Sequence, residues 1–507
     1  PFELQIAKNH ELSPPSSLNR AGFVRLPASF SFDGIIDELK ITRIIKSSAE
    51  LTKTYNDLKT ANKPQLKWRK LPAINTSRNE FGAFYTKLKY DEDWDALWRD
   101  DKYPDIVVNF KDKDYSMVFW KGTNYNMNLV TENGKWVGDQ SAETFGRLGC
   151  MEHMSDKQNR YSHVRIIENN AARIVIHWRY ALTDITYRIA NTDEVTNWGD
   201  WADEYYYIYP DGIAIRHFLV HGFGESDMEY EERYDEQGNE YYQYSITEPT
   251  LFNNAGEKPE DNINLQAVTL ANLKGEVSHH SYEKWPSGDD GRFANAVDNE
   301  LITYLNTKSA AKPFYIYEPG SHTIPYGGGI REVDYRLSKF HWRNHWPVSQ
   351  IPSDGRFILA ADRISSSAIT SADPVQVRRK SDGAWEGRFI LGLSYEPIEK
   401  IVPFANYWIN TPDLKITDNS YTYEGFSRNE RAYLLSILDE LESPLKMKIS
   451  ASKNSPLVNP VFIIKNWNSS ILKVILNDEE LVQGKEYDYS IRKSIDSNDL
   501  ILWMNIE

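Results

Sequence analysis

The chain has 507 residues, of which 40% are apolar, 13% aromatic and 26% charged, and its formal net charge is −15. An acidic surface repels polyanions, so this charge disfavours nucleic acid and anionic membranes as partners. The only cysteine, Cys150, excludes an internal disulfide, and the sequence has no apolar run of about 18 residues that would predict a transmembrane helix.

The first 46 residues predict a β-arm or the tail of a larger module. Residues 31–46, SFDGIIDELKITRIIK, alternate between apolar and polar side chains and end in basic residues. This stretch resembles the closing strands of laminin-G-like and concanavalin-like sandwiches, which need more chain than precedes it here. Because the chain begins at Pro1, with neither a methionine nor a signal peptide, we interpret it as a fragment or a processed chain.

Two helices are predicted, one on each side of a long region of strands. Ser47 and Glu50 have the spacing of a capping box, and the helix that they begin is followed by a linker rich in Pro, Asn, Lys and Ser, so that helix and linker occupy 47–80. The second helix is expected over 427–442, because Ser427 and Glu430 repeat that spacing and leucine and isoleucine recur along one helical face.

Most of the chain between these helices predicts β-strands. The sequences YSHVRIIENN, AARIVIHWRYALTDITYRI, DEYYYIYPDGIAIRHFLVHGF and GRFILGLSYEP alternate or run apolar between turn signals such as Pro210-Asp211-Gly212. Long strands joined by tight turns predict stacked antiparallel sheets. We therefore predict an all-β, mostly antiparallel protein with a large β-sandwich or supersandwich over 81–400, a connecting segment with one helix over 401–450, and a small β-domain over 451–507.

One candidate site lies in the sequence EHMSDKQNRYSHVR at 152–165. In an extended strand, Tyr161, His163 and Arg165 share one face. Five basic residues lie between positions 157 and 179, where Glu168 is the only acid. Further along, His177 and Arg179 alternate in the same way. The segment is therefore a local positive region in an acidic chain.

A second candidate site is the sequence HWRNHWPVSQIPSDGR at 341–356, where Pro347 makes a helix unlikely to form. As a strand, this stretch places histidine and arginine side chains on one face and tryptophan and asparagine side chains on the other. The residues of interest are His341, Trp342, Arg343, Asn344, His345, Trp346, Gln350 and Arg356.

Histidine, tyrosine, arginine and asparagine around aromatic rings suit β-elimination on a uronic acid polymer. Loss of the proton next to a carboxylate requires that the carboxylate charge is first neutralised. We expect His345 or His163 to be the base and Tyr161 the acid. We expect the catalytic residue Asn344, with Gln350 and Arg343, to neutralise the carboxylate. Arg356 and Arg165 would contact sulfate groups, and His341 would also bind the substrate. Trp342 and Trp346 would stack on sugar rings or pack in the core.

Several alternatives remain open on the sequence alone. A strand face of histidine and arginine is often purely structural, and His341 with His345 could hold a metal, although no third ligand is evident. A glycoside hydrolase would need a carboxylate pair, for which Glu152, Asp334 and Asp354 are candidates. A non-catalytic carbohydrate-binding or adhesion protein would use the same aromatic and arginine side chains. The acidic run at 225–240 predicts a solvated loop or a structural calcium site, and we expect that no cofactor is required.

Three stretches carry a resemblance to a known group: SDKQNRYSHVRIIENNAARIVIHWRYAL at 155–182, NHWPVSQIPSDGR at 344–356 and NPVFIIKNWN at 459–468. They resemble large bacterial polysaccharide-degrading proteins, and the ulvan lyases in particular. The resemblance implies a secreted enzyme with a mutarotase-like supersandwich that cleaves beside a uronate in a sulfated polymer. Because the net charge is negative, the two basic segments would have to dominate the field over a Debye length of about 8–10 Å.

Overall fold

In the computed structural model, the chain is built mainly of antiparallel strands, which confirms the predicted all-β fold. The structure describes residues 45–59, 68–75, 79–96, 98, 103–146, 149–222, 245–326, 346–350, 363–372, 377–417, 419–438, 444–469, 472–493, 495 and 497–506. The laminin-G-like stretch up to residue 44 and the acidic run at 225–240 lie outside these residues. Across the described ranges, no helix has the length and apolar character needed to cross a membrane.

The helices are few and short. The α-helices are α1 (Ser48–Lys59), α2 (Glu92–Asp95), α3 (Pro259–Asn262) and α4 (Ile398–Ile409), and 3-10 helices occupy Lys121–Thr123, His153–Ser155 and Pro347–Gln350. Helix α1 begins as predicted, because the backbone N–H of Ser47 donates to Glu50 Oε2 at 2.8 Å and that of Glu50 donates to Ser47 Oγ at 3.3 Å. These two bonds satisfy amide groups that the first helical turn cannot pair internally.

The strands are numbered in chain order. The first sixteen are β1 (Gly82–Thr86), β2 (Asp105–Asn109), β3 (Ser116–Phe119), β4 (Met127–Val130), β5 (Trp136–Gly146), β6 (Gly149–Glu152), β7 (His163–Asn169), β8 (Ile174–Ala181), β9 (Trp201–Ile208), β10 (Ile213–His221), β11 (Ser245–Asn253), β12 (Ile263–Asn272), β13 (Val277–His280), β14 (Glu300–Thr307), β15 (Lys312–Ile316) and β16 (Thr323–Pro325). The others are β17 (Ser365–Ala368), β18 (Thr370–Ala372), β19 (Val377–Arg379), β20 (Trp385–Ser394), β21 (Asp413–Ile416), β22 (Tyr421–Ser427), β23 (Ala432–Ile437), β24 (Met447–Ser450), β25 (Val461–Lys465), β26 (Ile475–Leu476), β27 (Glu479–Glu480), β28 (Tyr487–Lys493) and β29 (Asn498–Met504).

Two large sheets form the body of the molecule. Sheet I has the order β1-β2-β3-β4-β5-β11-β18-β16, with β6 paired to β5 and β17 to β11. Sheet II has the order β13-β12-β14-β15-β20-β10-β9-β8-β7, with β19 paired to β20. A smaller sheet III, β22-β23-β25-β29-β28, lies near the C-terminus and contains one parallel pair, β23 with β25.

The main hydrophobic core lies between sheets I and II. Alternation along each strand sends one set of side chains inward, so that Met117 and Leu129 of sheet I share a cluster with Ile176, Trp178 and Phe389 of sheet II. All five side chains are almost completely buried. Burial of each such side chain contributes about 1.5–3 kcal/mol to the free energy of folding, so this core stabilises the contact between the two sheets.

The outer face of sheet II is apolar in one half and polar in the other. From the apolar half, Ile215, Ile302 and Ile390 enter a second core, where they pack with Trp408 of α4 and Phe462 of sheet III. The polar half begins two residues further along β10 and β20, at His217 and Arg388. Its side chains therefore lie beside the region that α4 and sheet III cover.

The helix predicted over 427–442 is wrong. Residues 432–437 form β23, which pairs with β22 on one side and with β25 on the other, and residues 439–443 lie outside the described part of the chain. The capping-box spacing instead closes a turn, since the backbone N–H of Glu430 donates to Ser427 Oγ at 3.3 Å. Arg431 then takes a left-handed φ of 50° and is fully buried against Asp211 at 2.8 Å. These contacts with distant residues outweigh the local helical spacing.

Candidate active site

Five neighbouring strands of sheet II bring polar side chains together on its outer face. The strand registers align one row across β7, β8, β9, β10 and β20, and a second row two residues away. The first row is Arg165, His177, Tyr205, His217 and Arg388, and the second is His163, Arg179, Asp203, Leu219 and Glu386. We call these residues, together with His221 at the end of β10, the histidine face.

The turn between β9 and β10 fixes the register of the two central strands. Residues 210–212 form the predicted turn, and Gly212 has a φ of +87°, which a residue with a side chain adopts only with strain. A Cβ at this position would also lie 2.2 Å from the Tyr115 hydroxyl. The turn places Tyr205 opposite His217 and Asp203 opposite Leu219, so its geometry determines which polar groups meet on the outer face.

Asp203 is the centre of the histidine face. Its carboxylate accepts hydrogen bonds from His177 Nε2 at 2.6 Å and Arg179 Nη1 at 3.0 Å, and it lies 3.2 Å from His221 Nε2. Burial would raise the pKa of the Asp203 carboxyl, but the bonds from the two histidines and the charge of Arg179 outweigh burial and hold it well below its ordinary value. Asp203 is therefore an ionised group that orients the two imidazoles.

The two histidines bound to Asp203 differ in what their second nitrogen can do. Nε of Arg165 donates to Nδ1 of His177 at 3.1 Å, which fixes that ring as the tautomer with its proton on Nε2 and leaves neither nitrogen free. The side chain of His221 is 47% exposed, and no partner for its Nδ1 lies among the residues that the structure describes. With Nε2–H held by an ionised carboxylate, Nδ1 of His221 is left to accept a proton on a side chain that is partly exposed.

A second histidine–carboxylate pair lies on the same face. Nε2 of His217 is 2.7 Å from Oε1 of Glu386, and that same oxygen accepts from Nδ2 of Asn429 at 3.2 Å. The hydrogen bond from His217, aided by Arg388 and Asn429, lowers the pKa of Glu386 to about 2. Asn429 belongs to the turn between β22 and β23, so the region that contains sheet III contributes directly to this pair.

Tyr205 lies between the two pairs. Its ring stacks on the imidazole of His177, with centroids 4.7 Å apart and an interplanar angle of 18°. Partial burial and the nearby charge of Asp203 raise the pKa of the Tyr205 hydroxyl. The hydroxyl therefore keeps its proton at neutral pH, which suits a group that donates a proton to a leaving oxygen.

The residues predicted at 161–165 lie at one edge of the histidine face. His163 and Arg165 are exposed on β7, and Arg165 contacts His177 as described. The ring of Tyr161 lies edge-on to Trp201, with centroids 6.1 Å apart. The sequence analysis therefore selected one border of this surface.

Most of the second predicted segment lies outside the described residues. The predicted site residues outside the described part of the chain are His341, Trp342, Arg343, Asn344, His345 and Arg356. For Gln350, only its place at the end of a 3-10 helix is described. Trp346 is described and packs in the core, which is one of the two roles that the sequence allowed. Its ring contacts Phe252 and His153, its Nε1 donates to Ser366 Oγ at 2.9 Å, and it is 1% exposed.

The sequence analysis noted His177 and Arg179 but did not select the other central residues of the face. These are Asp203, Tyr205, His217, His221, Glu386 and Arg388. A usable signal existed for the β9–β10 hairpin, because the turn at 210–212 fixes which residues are opposite one another. No local signal places Glu386 beside His217, since that contact joins strands 169 residues apart.

One cluster of possible metal ligands is present in the described chain. Glu143, Cys150 and Glu152 lie on the β5–β6 hairpin, and one donor atom from each is within 4.8 Å of the others. A thiol with two carboxylates differs from the all-oxygen set that calcium prefers, so this cluster does not correspond to the structural calcium site considered from the sequence.

Comparisons with known proteins add little to this description. No protein-family model and no curated protein sequence matches the chain. Among solved structures, the galactose 1-epimerase of Lactobacillus acidophilus NCFM aligns with 62% of this chain and 98% of its own, at 9% identity and a TM-score of 0.25. A score this low supports no argument about function.

Proposed function

We propose that this chain is a polysaccharide lyase that cleaves a uronate-containing polymer by β-elimination, with the histidine face as its active site. The observation that carries the proposal is the position of Asp203 between Arg179 and two histidines, one of which, His221, has a side chain that is 47% exposed. The substrate implies an enzyme that works outside the cell. The step requires no cofactor.

The proposed reaction has one proton acceptor and one proton donor. Nδ1 of His221 takes the proton from the carbon next to the uronate carboxylate. A double bond forms between that carbon and its neighbour as the bond to the glycosidic oxygen breaks. The Tyr205 hydroxyl gives its proton to the departing oxygen. His221 then releases its proton to solvent and Tyr205 takes one up from solvent, which restores both groups.

Arginines on the same face would stabilise the charge that develops during proton removal. Arg165 and Arg179 lie next to the histidines, and Arg388 lies at the opposite edge. These three arginines outnumber the two carboxylates of the face, although the whole chain carries a net charge of −15. A locally positive surface can therefore bind an anionic sugar within a Debye length of about 8–10 Å.

The ionisation of the carboxylates argues against a glycoside hydrolase at this face. A hydrolase needs one carboxyl that keeps its proton near neutral pH. Both Asp203 and Glu386 have a lowered pKa, so both are ionised. Burial raises the pKa of Asp139 to about 7, but this carboxyl is 2% exposed on the inner side of sheet I, where no sugar can reach it.

The test is incubation with ulvan, alginate and chondroitin sulfate, with measurement of both the ultraviolet absorbance of the unsaturated product and the reducing ends. We expect both signals from at least one polymer, and we expect His221→Ala to lower the rate about 10²–10⁴-fold. His279→Ala is the matched control, because His279 is also an exposed histidine of sheet II but lies on the edge strand β13.

Each alternative function predicts a different pair of signals. New reducing ends without the absorbance of a double bond would indicate a hydrolase. Binding of a polymer with neither signal would indicate a carbohydrate-binding or adhesion protein. An equal loss of rate in His221→Ala and His279→Ala would remove His221 from the mechanism.

A further inference from the structure

We propose that Trp198, Trp201 and Tyr161 form an aromatic subsite that stacks on the sugar ring next to the ring that is cleaved. The inference rests on the proposed function for the identity of its ligand. It adds the direction in which the polymer lies, which is away from sheet III and past the end of β10.

The three rings are adjacent to the histidine face. Trp201 opens β9, two residues before Asp203 on the same outer face, and its register partner is His221. The rings of Trp198 and Trp201 have centroids 5.9 Å apart, and that of Tyr161 lies 6.1 Å from Trp201 at a right angle. A polymer bound at His221 would therefore meet this subsite with its next ring.

Trp198 is exposed although its backbone is firmly held. Its side chain is 59% exposed, which is unusual for so large an apolar ring. The loop that carries it is closed by a bond from the Asp193 backbone N–H to the Trp198 carbonyl at 2.8 Å. The Asp193 carboxylate also accepts from the backbone N–H groups of Val195 and Thr196 at 3.1 and 2.7 Å. A ring held in place before binding loses less entropy when a ligand stacks on it.

The charge beside the rings favours an anionic sugar over an apolar protein segment. The Arg179 guanidinium lies 5.2 Å from the Trp201 ring centroid, and its Nη1 contacts Asp203 at 3.0 Å. A pyranose presents an apolar C–H face that stacks on an aromatic ring, while its carboxylate or sulfate projects from the rim. Arg179, with a side chain that is 36% exposed, lies where it can bind that anionic group.

The experiment compares Trp198→Ala with Trp68→Ala, which removes another exposed tryptophan far along the chain. Trp68 is 48% exposed, so the two substitutions remove rings of the same kind and similar exposure. Binding of ulvan, alginate and chondroitin sulfate to each variant is measured by calorimetry. The elimination rate on any polymer that is cleaved is measured across substrate concentrations and oligosaccharide lengths.

We expect Trp198→Ala to raise both Kd and KM about tenfold with little change in kcat, because it removes one stacking contact away from the reacting atoms. Trp198→Phe should recover part of the affinity, and the loss in Trp198→Ala should disappear for oligosaccharides too short to reach the subsite. Trp68→Ala should bind and react like the unmodified chain.

The outcomes separate this inference from the proposed lyase activity. If elimination occurs and Trp198→Ala behaves like Trp68→Ala, the subsite is refuted and the lyase stands. If no polymer is cleaved but Trp198→Ala alone loses affinity for a bound polymer, the subsite stands and the lyase is refuted. If no polymer is cleaved and Trp198→Ala binds normally, both are refuted.

Discussion

Asp203 and Glu204 are neighbours on β9, yet their carboxylates lie on opposite faces of sheet II and in different surroundings. Glu204 is fully buried and accepts from the guanidinium of Arg216 through Nε and Nη2, both at 2.7 Å. The hydroxyls of Tyr180 and Tyr206 donate to its two oxygens, also at 2.7 Å. Asp203 is bound instead by two histidines and by the partly exposed Arg179.

The difference between the two carboxylates shows which kind of partner makes a buried charge structural and which makes it reactive. Arg216 keeps its charge at every accessible pH, so Glu204 has a permanently charged partner. The imidazole of His221 can accept a proton, and its side chain is 47% exposed. Glu204 therefore stabilises the sandwich, whereas under the proposed function Asp203 orients the base.

The largest effect is expected from Asp203→Asn. An amide cannot stabilise the positive imidazole that forms when His221 takes a proton, so the elimination rate should fall about 10²–10⁴-fold. The free energy of unfolding should fall by only about 1 kcal/mol, because asparagine retains hydrogen-bonding capacity at this position. Elimination kinetics and urea unfolding on the same preparation measure both quantities. If Asp203→Asn instead lost much of its stability but its folded fraction reacted at the normal rate, Asp203 would be a structural carboxylate like Glu204.

Glu204→Gln should have the opposite profile. It leaves the buried charge of Arg216 with Asp139 alone, at 3.2 Å, and should lower the free energy of unfolding by about 3–5 kcal/mol. At urea concentrations below its lowered unfolding midpoint, the elimination rate of Glu204→Gln should stay within a few-fold of that of the unmodified chain. Glu283→Gln, at an exposed position, provides the control for the same chemical change. Normal stability in Glu204→Gln would show that the inner cluster is not structural.

The sequence predicted the fold class because the strands between the two predicted helices alternate as half-buried strands do. It predicted β7 to β10 and their turn, and it also predicted the first helix with its cap. It misassigned 427–442 because a helical spacing of leucine and isoleucine also suits β23, which is buried by partners on both sides. Periodicity describes one segment at a time, whereas pairing with β22 and β25 decides the outcome.

The candidate site was harder to predict for the same reason. Arg165 and His163 are close to their site partners through a hairpin, and the sequence selected them. Glu386 contacts His217 only because β20 pairs with β10. Asn429 contacts Glu386 from a turn that follows α4 in the chain. Local chemistry thus identified one border of the face, while its centre depends on contacts between distant segments.

The pH dependence of stability should also differ between the outer and the inner carboxylates. The hydrogen bond from His217 lowers the pKa of Glu386 from 4.5 to about 2, so its stabilisation is complete above pH 4.5 and is lost as the pH falls toward 2. Burial raises the pKa of Asp139 from 3.8 to about 7. Its ionisation therefore lowers the free energy of unfolding progressively as the pH rises from 3.8 toward 7.

Urea unfolding midpoints measured across this pH range test both slopes. Glu386→Gln should flatten the rise in stability on the acidic side, and Asp139→Asn should flatten the decline toward neutral pH. Two variants with the slopes of the unmodified chain would show that neither carboxyl governs these transitions.

The smallest effect is expected from Asn429→Ala, which tests whether sheet III takes part in the site. Nδ2 of Asn429 donates to Glu386 at 3.2 Å, and its Oδ1 accepts from Arg388. Loss of these bonds should cost about 0.5–1.5 kcal/mol of interaction energy. We expect a few-fold lower elimination rate, because Glu386 then holds less firmly the imidazole of His217, which is the register partner of the proposed acid Tyr205. Asn505→Ala is the control, since Asn505 is an exposed asparagine that follows β29 of the same sheet and donates to the Lys485 carbonyl. Equal rates in the two variants would mean that sheet III supports the sandwich without contributing to its chemistry, and that the outer face of sheet II is complete by itself.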